Sequence, residues 1–311
     1  MALLAYTING IVPVFAVIFV VIFLNKLGFF SENTKDEIIK LVFYVGTPCL
    51  IFMNIAPADI YSCFDFKFEI FSVLMILLLL ALSILFCSFI KEPSKKGAVV
   101  QIAYRSNFAI IGMPLAINLL SKEGVTLTAV TLSFAVVTYN ISAVILLSYY
   151  GGVKRNLKSM LKGILTNPLI VGTLAGLLFS LLKLPIPVIF SKTLSTLGDI
   201  ATCMGLIIIG ASITLEGFKK NKKEIFTAIF LRNLFAPFLF IGMGLLFGYR
   251  NDAIMVLAIM SSAPAAVNCF VMAKKMNVSA DISAFGVSLT SIFSIFGVFI
   301  SVYLIKLFGF A

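Results

Sequence analysis

The sequence predicts an all-α membrane protein with ten transmembrane helices, arranged as a 5+5 inverted repeat. The first observation behind this prediction is composition: 61% of the 311 residues are hydrophobic and only 12% are charged. A soluble domain has roughly 45–50% apolar and about 25% charged residues, so this chain could not form a soluble surface. The second observation is where the basic residues lie, and the third is a proline motif that occurs once in each half.

Ten apolar stretches are each close to the length of a helix that crosses a bilayer, which is about 20 residues. The first has no basic start and no cleavage site, so we expect a retained span, kinked at Pro13, and not a signal peptide. We predict spans over Leu4–Leu24, Glu37–Ile55, Phe66–Ile90, Gly97–Leu120, Val125–Tyr149, Gly163–Leu182, Leu194–Thr214, Glu224–Gly248, Asp252–Ala273 and Ile282–Leu307. The first repeat is residues 1–150 and the second is residues 151–311, with the basic segment Gly151–Lys162 joining them.

The basic residues predict the orientation of these spans. Loops after odd-numbered spans carry sixteen Lys and Arg residues, and the opposite side carries six. The positive-inside rule therefore predicts a multi-pass protein of the cell membrane with both termini on the non-cytoplasmic side. Because five is odd, the two halves have opposite orientations. The net charge of +11 reflects this topology, and we expect no nucleic-acid partner.

A proline motif lies in the fourth span of each half. Gly112-Met113-Pro114 is followed by Asn118, and Ser262-Ala263-Pro264 is followed by Asn268, with an offset of 150 residues. Proline removes a backbone donor and clashes with the preceding helical turn. Interrupted helices at matching places in two halves indicate the binding site of a transporter. We therefore expect Pro114 and Pro264 to break helices four and nine, and the two breaks to cross near the membrane midplane.

Each break would create a half-helix whose N-terminus carries about half a positive elementary charge, which favours an anion. Ser261 and Ser262 could accept hydrogen bonds from the exposed N–H groups. Asn118 and Asn268, about one turn beyond the prolines, could hold a carboxylate. The alternative is a pair of ordinary kinked helices held together by asparagine.

Other polar residues lie inside predicted spans. Arg105 could act in transport or extend to the membrane interface, and Asn107 could face the same cavity as the motif. Arg232 lies deeper and needs a partner that the sequence does not identify. Asp199 is either a protonatable coupling residue or an interfacial one. The candidate substrate-binding residues are Asn107, Gly112, Met113, Pro114, Asn118, Tyr139, Asn140, Ser261, Ser262, Pro264 and Asn268, and the coupling or gating candidates are Arg105, Asp199 and Arg232.

The residue inventory argues against an enzyme. The chain has no histidine, which excludes histidine-based triads and HExxH zinc sites. Its five cysteines are scattered without a CxxC pair, so we expect no metal site and no cofactor. Leu197-Gly198-Asp199 matches the GxGD motif of intramembrane aspartyl proteases only in part, because Thr196 replaces the first glycine. The glycine pairs Gly172/Gly176 and Gly244/Gly248 predict close helix packing.

Several segments together resemble one family. They are Arg105-Ser106-Asn107-Phe108 running into Gly112-Met113-Pro114, Tyr139-Asn140, Asn167-Pro168-Leu169-Ile170 with Gly172 and Gly176, Gly210-Ala211-Ser212, and Arg232 with Pro237. In order and spacing the chain resembles the auxin efflux carrier family, whose bacterial members are often assigned as malate or malonate permeases. Only about a dozen residues join the halves, which resembles the compact prokaryotic form and not the plant hormone exporters.

The resemblance implies a fold similar to the bile-acid sodium symporters. Spans 1, 2, 6 and 7 would form a scaffold, and spans 3–5 and 8–10 a transport domain that moves like an elevator. The substrate would lie by Asn107, Gly112–Pro114 and Ser262–Pro264. We therefore expect a carrier for a small organic anion of the carboxylate class. Its coupling to a proton or Na⁺ gradient, and facilitated efflux without coupling, stay open. A sodium-coupled symporter of another small metabolite, a non-transporting membrane sensor and a homodimer all stay open.

Overall fold

The computed structural model describes residues 16–17, 19–57, 65–151, 166–212 and 215–311. This part of the chain is helical, and its only extended pairing is an isolated bridge between Ser106 and Ala265. The kink predicted at Pro13 and nearly all of the predicted connection Gly151–Lys162 lie outside the described residues.

In the part of the first half that the structure describes, six α-helices follow the helical residues 19–26. Their bounds are α1 Glu32–Leu41, α2 Thr47–Ile55, α3 Phe66–Phe86, α4 Pro93–Tyr104, α5 Met113–Leu119 and α6 Lys122–Tyr150. Two π-helical turns, Val42–Gly46 and Phe108–Gly112, precede α2 and α5, and a 3₁₀ turn, Cys87–Phe89, follows α3.

The second half contains eight described α-helices. Their bounds are α7 Pro168–Leu181, α8 Val188–Ser212, α9 Leu215–Lys220, α10 Lys222–Phe230, α11 Ala236–Leu246, α12 Asn251–Ser262, α13 Asn268–Lys275 and α14 Ala280–Leu307. A π-helical turn, Leu231–Phe235, joins α10 to α11.

Several helical stretches are suited to a bilayer. Within the described residues, five are long and apolar enough to cross a membrane: Glu32–Ile55, Phe66–Phe89, Lys122–Tyr150, Lys222–Leu246 and Ala280–Leu307. Large apolar side chains, among them Phe19, Ile189, Phe238 and Leu246, are exposed on the surface. An exposed apolar surface of this kind is typical of contact with lipid. The protein is therefore a multi-pass membrane protein.

Each π-helical turn stands directly before a proline at the second residue of the next helix: Pro48, Pro114 and Pro237. A proline has no N–H group and clashes with the carbonyl four residues earlier. The wider turn relieves this conflict, because the residue before each proline bonds five residues back. Thr47 donates to Val42, Met113 to Phe108 and Ala236 to Leu231. The helices therefore pass these prolines without a break.

Helices α4 and α12 form the centre of the molecule. Every residue of Gly97–Tyr104 and of Ile254–Ser262 is buried. Helix α4 packs against α3, α6, α10 and α14, and α12 packs against α11 and α14. Both central helices end where the chain unwinds. The surrounding helices therefore enclose the backbone groups left unpaired there, which are not exposed to lipid.

Helix α2 packs separately against α7 and α8, through glycines that bring the backbones close. A Cβ atom at Gly172 would lie 2.7 Å from the Pro48 carbonyl oxygen, and one at Gly198 would lie 3.0 Å from Cα of Leu50. Gly176 makes a similar approach to Ile55, so the packing predicted for Gly172 and Gly176 is confirmed. Gly244 contacts α12, but Gly248 has φ +85° and ends α11, so the packing role predicted for Gly248 is wrong.

Candidate functional site

Two buried helices unwind where they meet. Helix α4 ends at Tyr104, and a helical segment begins again at Phe108; α12 ends at Ser262, and α13 begins at Asn268. The unwound segments pair as an antiparallel bridge. The Asn107 N–H donates to the Pro264 carbonyl at 2.7 Å, and the Ala266 N–H donates to the Arg105 carbonyl at 3.3 Å. This pairing satisfies backbone groups that would otherwise be unpaired in an apolar interior.

The break predicted at Pro264 is present, but the break predicted at Pro114 is wrong. The first helix unwinds at Arg105–Asn107, seven or more residues before Pro114. Pro114 lies in α5 behind a π-helical turn, which removes its conflict with the preceding carbonyl. The residues that meet Pro264 are therefore Ser106 and Asn107.

Arg232 is fully buried and holds the ends of both broken helices. Its guanidinium donates to the carbonyls of Tyr104, at 3.2 Å, and of Met260, Ser261 and Ala263, at 3.0, 2.6 and 2.9 Å. The last carbonyls of a helix lack intrahelical partners and carry a partial negative charge. The partner that Arg232 requires is thus the pair of helix C-termini.

A small cavity of about 50 Å³ lies on the side of the crossing where the second helical segments begin. Its lining is Leu50, Ile51, Asn54, Arg105, Ser106, Asn107, Phe108, Ala109, Val136, Tyr139, Asn140, Ala266 and Asn268. Phe108 and Ala109 begin one helical segment, and Asn268 begins the other. At the start of α13 the N–H groups of Cys269 and Phe270 donate to the Ala266 and Val267 carbonyls, so the two helix starts bring mainly partial positive charge to this cavity. Arg232 is not among its described lining residues.

Arg105 is the cationic residue of this lining. It is only 4% exposed, so the alternative that it extends to the membrane interface is wrong. Its guanidinium donates to Oδ1 of Asn140 at 2.7 Å and contacts Sδ of Met272 at 2.9 Å. Among the described residues, the ion pairs are those of Lys35 and Lys95, so Arg105 has no carboxylate partner there.

Two asparagines of the cavity make long contacts with threonines of the neighbouring helices. Nδ2 of Asn140 donates to Oγ1 of Thr173 at 3.4 Å, and the Thr47 hydroxyl donates to Oδ1 of Asn268 at 3.4 Å. Both distances are beyond the usual range for strong hydrogen bonds. Tyr139, also in the lining, is buried beside Tyr104.

The structure thus brings five of the predicted residues to one cavity: Arg105, Asn107, Tyr139, Asn140 and Asn268. The other described candidates lie elsewhere. Asn118 is exposed. It lies eleven residues beyond Asn107, and therefore not one turn beyond the break. Asp199 is also exposed, as an interfacial residue would be. Gly112 is the last residue of the π-helical turn and Met113 follows it, and neither is in the described lining.

The prediction that Ser261 and Ser262 cap a helix start is wrong. They precede the break and therefore stand at a helix C-terminus, where acceptors and not donors are unpaired. The Ser261 hydroxyl donates to the Ala258 carbonyl at 3.2 Å, and Ser262 donates to the Ser301 hydroxyl at 2.9 Å. Pro264 contributes its carbonyl to the bridge and is not in the described lining.

Comparison with known proteins gives the family. The sequence family described as "Membrane transport protein", the domain of the auxin efflux carriers, matches residues 6–157 and 153–302. The two matches together cover nearly the whole chain. The protein belongs to the auxin efflux carrier family. A search of curated proteins finds no match. Membership of the auxin efflux carrier family makes this chain a membrane transporter, in agreement with its apolar helices.

Some residues of this site were not predicted from the sequence. Thr173 and Met272, which contact Asn140 and Arg105, gave no signal, since a threonine or methionine in an apolar span is ordinary. Leu50 and Val136 also line the cavity without any distinguishing pattern. These side chains are identified as part of the site only once the helices are placed together.

Proposed function

We propose that this protein is a secondary carrier for a small organic anion, a carboxylate, which binds where helices four and nine cross and is moved by an elevator-type mechanism. The observation that carries the proposal is the buried guanidinium of Arg105 in a cavity with no described carboxylate partner. An arginine is effectively always charged. A buried charge without a counter-ion costs several kcal/mol, so a bound anion would stabilise this site.

The surrounding groups favour a carboxylate in the same way. Two helical segments begin at the cavity, and the partial positive charge of their N-termini favours an anion. The guanidinium can donate two parallel hydrogen bonds to a carboxylate. Asn107 and Asn268 add amide groups that could hold further oxygens of the anion.

The ten-helix, 5+5 inverted repeat belongs to this proposal. Helices four and nine would be the pairs α4/α5 and α12/α13, each unwound between its two parts. The antiparallel bridge between Ser106 and Ala265 is what an inverted pair of crossing helices would make. The excess of basic residues after odd-numbered spans supports both termini on the non-cytoplasmic side.

Helix packing supports a division into two groups. Helices α2, α7 and α8 pack closely through glycines and would form the scaffold. Helices α3–α6 and α10–α14 pack around the crossing and would form the transport group. The cavity lies between the two groups, with Leu50, Ile51 and Asn54 of α2 as one wall.

The size of the cavity indicates a closed conformation. A volume of about 50 Å³ holds only a few water molecules, since one water needs roughly 10–15 Å³ by this measure. A C4 dicarboxylate therefore needs the transport group to move away from α2. The long contacts Asn140–Thr173 and Thr47–Asn268 cross this boundary and would break in that movement.

The test is flux into proteoliposomes. Purified protein would be assayed for uptake and counterflow of radiolabelled malate, malonate and an aromatic carboxylate, with and without pH and Na⁺ gradients. We expect saturable flux of at least one acid above that of protein-free liposomes. Absence of flux for every acid, with monodisperse reconstituted protein, would contradict a carboxylate carrier and favour a different metabolite or a sensor.

A further inference from the structure

A third buried charged residue, after Arg105 and Arg232, lies away from the cavity, in the first turn of α3. Glu69 is 2% exposed. Its Oε1 lies 3.0 Å from the Thr131 hydroxyl of α6, and its Oε2 has no hydrogen-bond partner among the described residues. An ionised carboxylate in such a place would leave a charge almost unsolvated. Such a buried acid therefore needs a functional explanation in a carrier.

The hydrogen atoms around Thr131 decide which form of Glu69 fits. A threonine hydroxyl has one proton to donate. In a helix that proton normally goes to the carbonyl four residues earlier, and the Thr131 hydroxyl lies 2.8 Å from the Leu127 carbonyl. The contact with Oε1 of Glu69 is then satisfied only if Glu69 carries a proton and donates it to Thr131. The protonated acid satisfies both contacts, whereas the carboxylate must compete with Leu127 for one proton.

Among the described residues no basic side chain forms an ion pair with Glu69, and Lys67, two residues earlier on α3, is exposed. The titratable groups that face Glu69 are Asp65, which caps the start of α3, and Tyr249, whose ring packs on Phe68. Neither is a base. Arg250, next to Tyr249, donates to the Leu245 and Tyr249 carbonyls and lies over the Phe310 ring.

The charged residues of the other helices packed on α3 form no described hydrogen bond or ion pair with Glu69. Lys122 and Glu123 of α6 precede Thr131 by eight or nine residues, about 12 Å or more. Lys95 and Lys96 of α4 lie in its first turns, whereas Arg105 follows its last residue at the cavity. Helix α11 carries no charged residue. The neutral acid is therefore the form that this environment favours.

We propose that Glu69 is the proton-binding residue that couples carboxylate transport to a pH gradient. The inference rests on the proposed function and names its coupling ion. One proton binds the Glu69 carboxylate on one side of the membrane, travels as the carboxylic acid, and dissociates on the other side. Glu69 and Thr131 lie on α3 and α6, both in the transport group, so the proton moves with the substrate. Thr131 is eight residues, about 12 Å, from Tyr139 of the cavity on the same helix.

The experiment compares Glu69→Gln with Glu123→Gln, which neutralises an exposed acid at the start of α6. Glutamine can donate to Thr131 as the protonated acid does, but it cannot release a proton. We expect Glu69→Gln to lose pH-gradient-driven accumulation of the carboxylate and to retain counterflow at equal pH on both sides. Glu123→Gln should keep both activities. Accumulation by Glu69→Gln at the wild-type level would overturn the proposal.

Two measurements keep the proposal falsifiable if the glutamine variant does not fold or the substrate is wrong. In wild-type proteoliposomes, an entrapped pH dye should report proton movement with the carboxylate; flux without proton movement, or flux that follows Na⁺ alone, refutes the coupling and leaves the carrier intact. If no acid is transported, the proposed carrier function itself is contradicted. Infrared titration of wild-type protein then decides on Glu69, because a protonated carboxyl band near neutral pH is expected and its absence contradicts the assignment.

Discussion

Two buried arginines show how tertiary contacts decide the role of one residue type. Arg232 donates to four carbonyls at the ends of α4 and α12 and is satisfied within the protein. Arg105 has Asn140 and a methionine sulfur as partners, and it lines the cavity. Burial of a charge is stable only where such partners exist. Arg232 therefore supports the backbone of the site, and Arg105 is the residue that we propose binds the anion.

Replacement of Arg232 tests its structural role. Arg232→Ala removes a donor from four buried carbonyls, of which only that of Met260 keeps another described donor, the Ser106 hydroxyl. We expect a loss of about 3 kcal/mol or more in stability, since breaking a buried charged network costs this much. The stability of Arg232→Lys should lie between those of Arg232→Ala and the wild type, because one ammonium cannot match the planar guanidinium. The measurement is the temperature at which detergent-solubilised protein loses its monodisperse peak. Lys192→Gln, at an exposed lysine of α8, is the control and should melt as the wild type does.

At the scale of helices, the sequence predicted the positions of the helices better than the points at which they are interrupted. Proline interrupts a helix at Pro264, yet at Pro48, Pro114 and Pro237 a π-helical turn absorbs the same conflict. Local sequence does not distinguish the two outcomes. The break at Arg105–Asn107 contains no proline and is stabilised by bonds to Pro264 and Ala266, from a segment more than 150 residues away. Tertiary contacts therefore place this break, and with it the position of Asn107.

Glycine packing within the scaffold group gives a prediction at this scale. Gly172→Ala places a Cβ 2.7 Å from the Pro48 carbonyl, so the backbones of α2 and α7 must separate. We expect a loss of about 1–3 kcal/mol, as for overpacking elsewhere. Gly242→Ala, in α11, is the control, because a Cβ there meets nothing within 4 Å and alanine favours a helix. A Gly172→Ala protein with wild-type melting behaviour would show that the close packing is not needed.

At the scale of the whole molecule, composition and charge were enough to predict a multi-pass helical protein, and segment order was enough to predict its family. The sequence also selected Arg105, Tyr139 and Asn140, which line one cavity. It did not reveal the small volume of that cavity or the lining residues that α2 contributes. Those features depend on how two groups of helices pack, and apolar side chains such as Leu50 and Ile51 carry no signal for it.

Movement of one group against the other can be tested by crosslinking. In a background without native cysteines, Asn140→Cys with Thr173→Cys joins the transport group to the scaffold. We expect a thiol crosslink to stop carboxylate flux and a reducing agent to restore it. Ser262→Cys with Ser301→Cys joins two helices of the transport group, at hydroxyls 2.9 Å apart, and its crosslink should leave flux intact. Full flux through the crosslinked Asn140/Thr173 pair would contradict an elevator movement.

The central claim is that the anion binds at Arg105, between the two half-helix N-termini. The most direct measurement is equilibrium binding of the transported radiolabelled carboxylate to purified wild type, Arg105→Gln and Lys192→Gln, with a circular dichroism spectrum and monodispersity confirmed for each. We predict that Arg105→Gln weakens binding by about 2 kcal/mol or more, the cost of removing a charge-assisted pair, while Lys192→Gln binds as the wild type. Equal affinity for all three proteins would place the anion elsewhere and contradict the account.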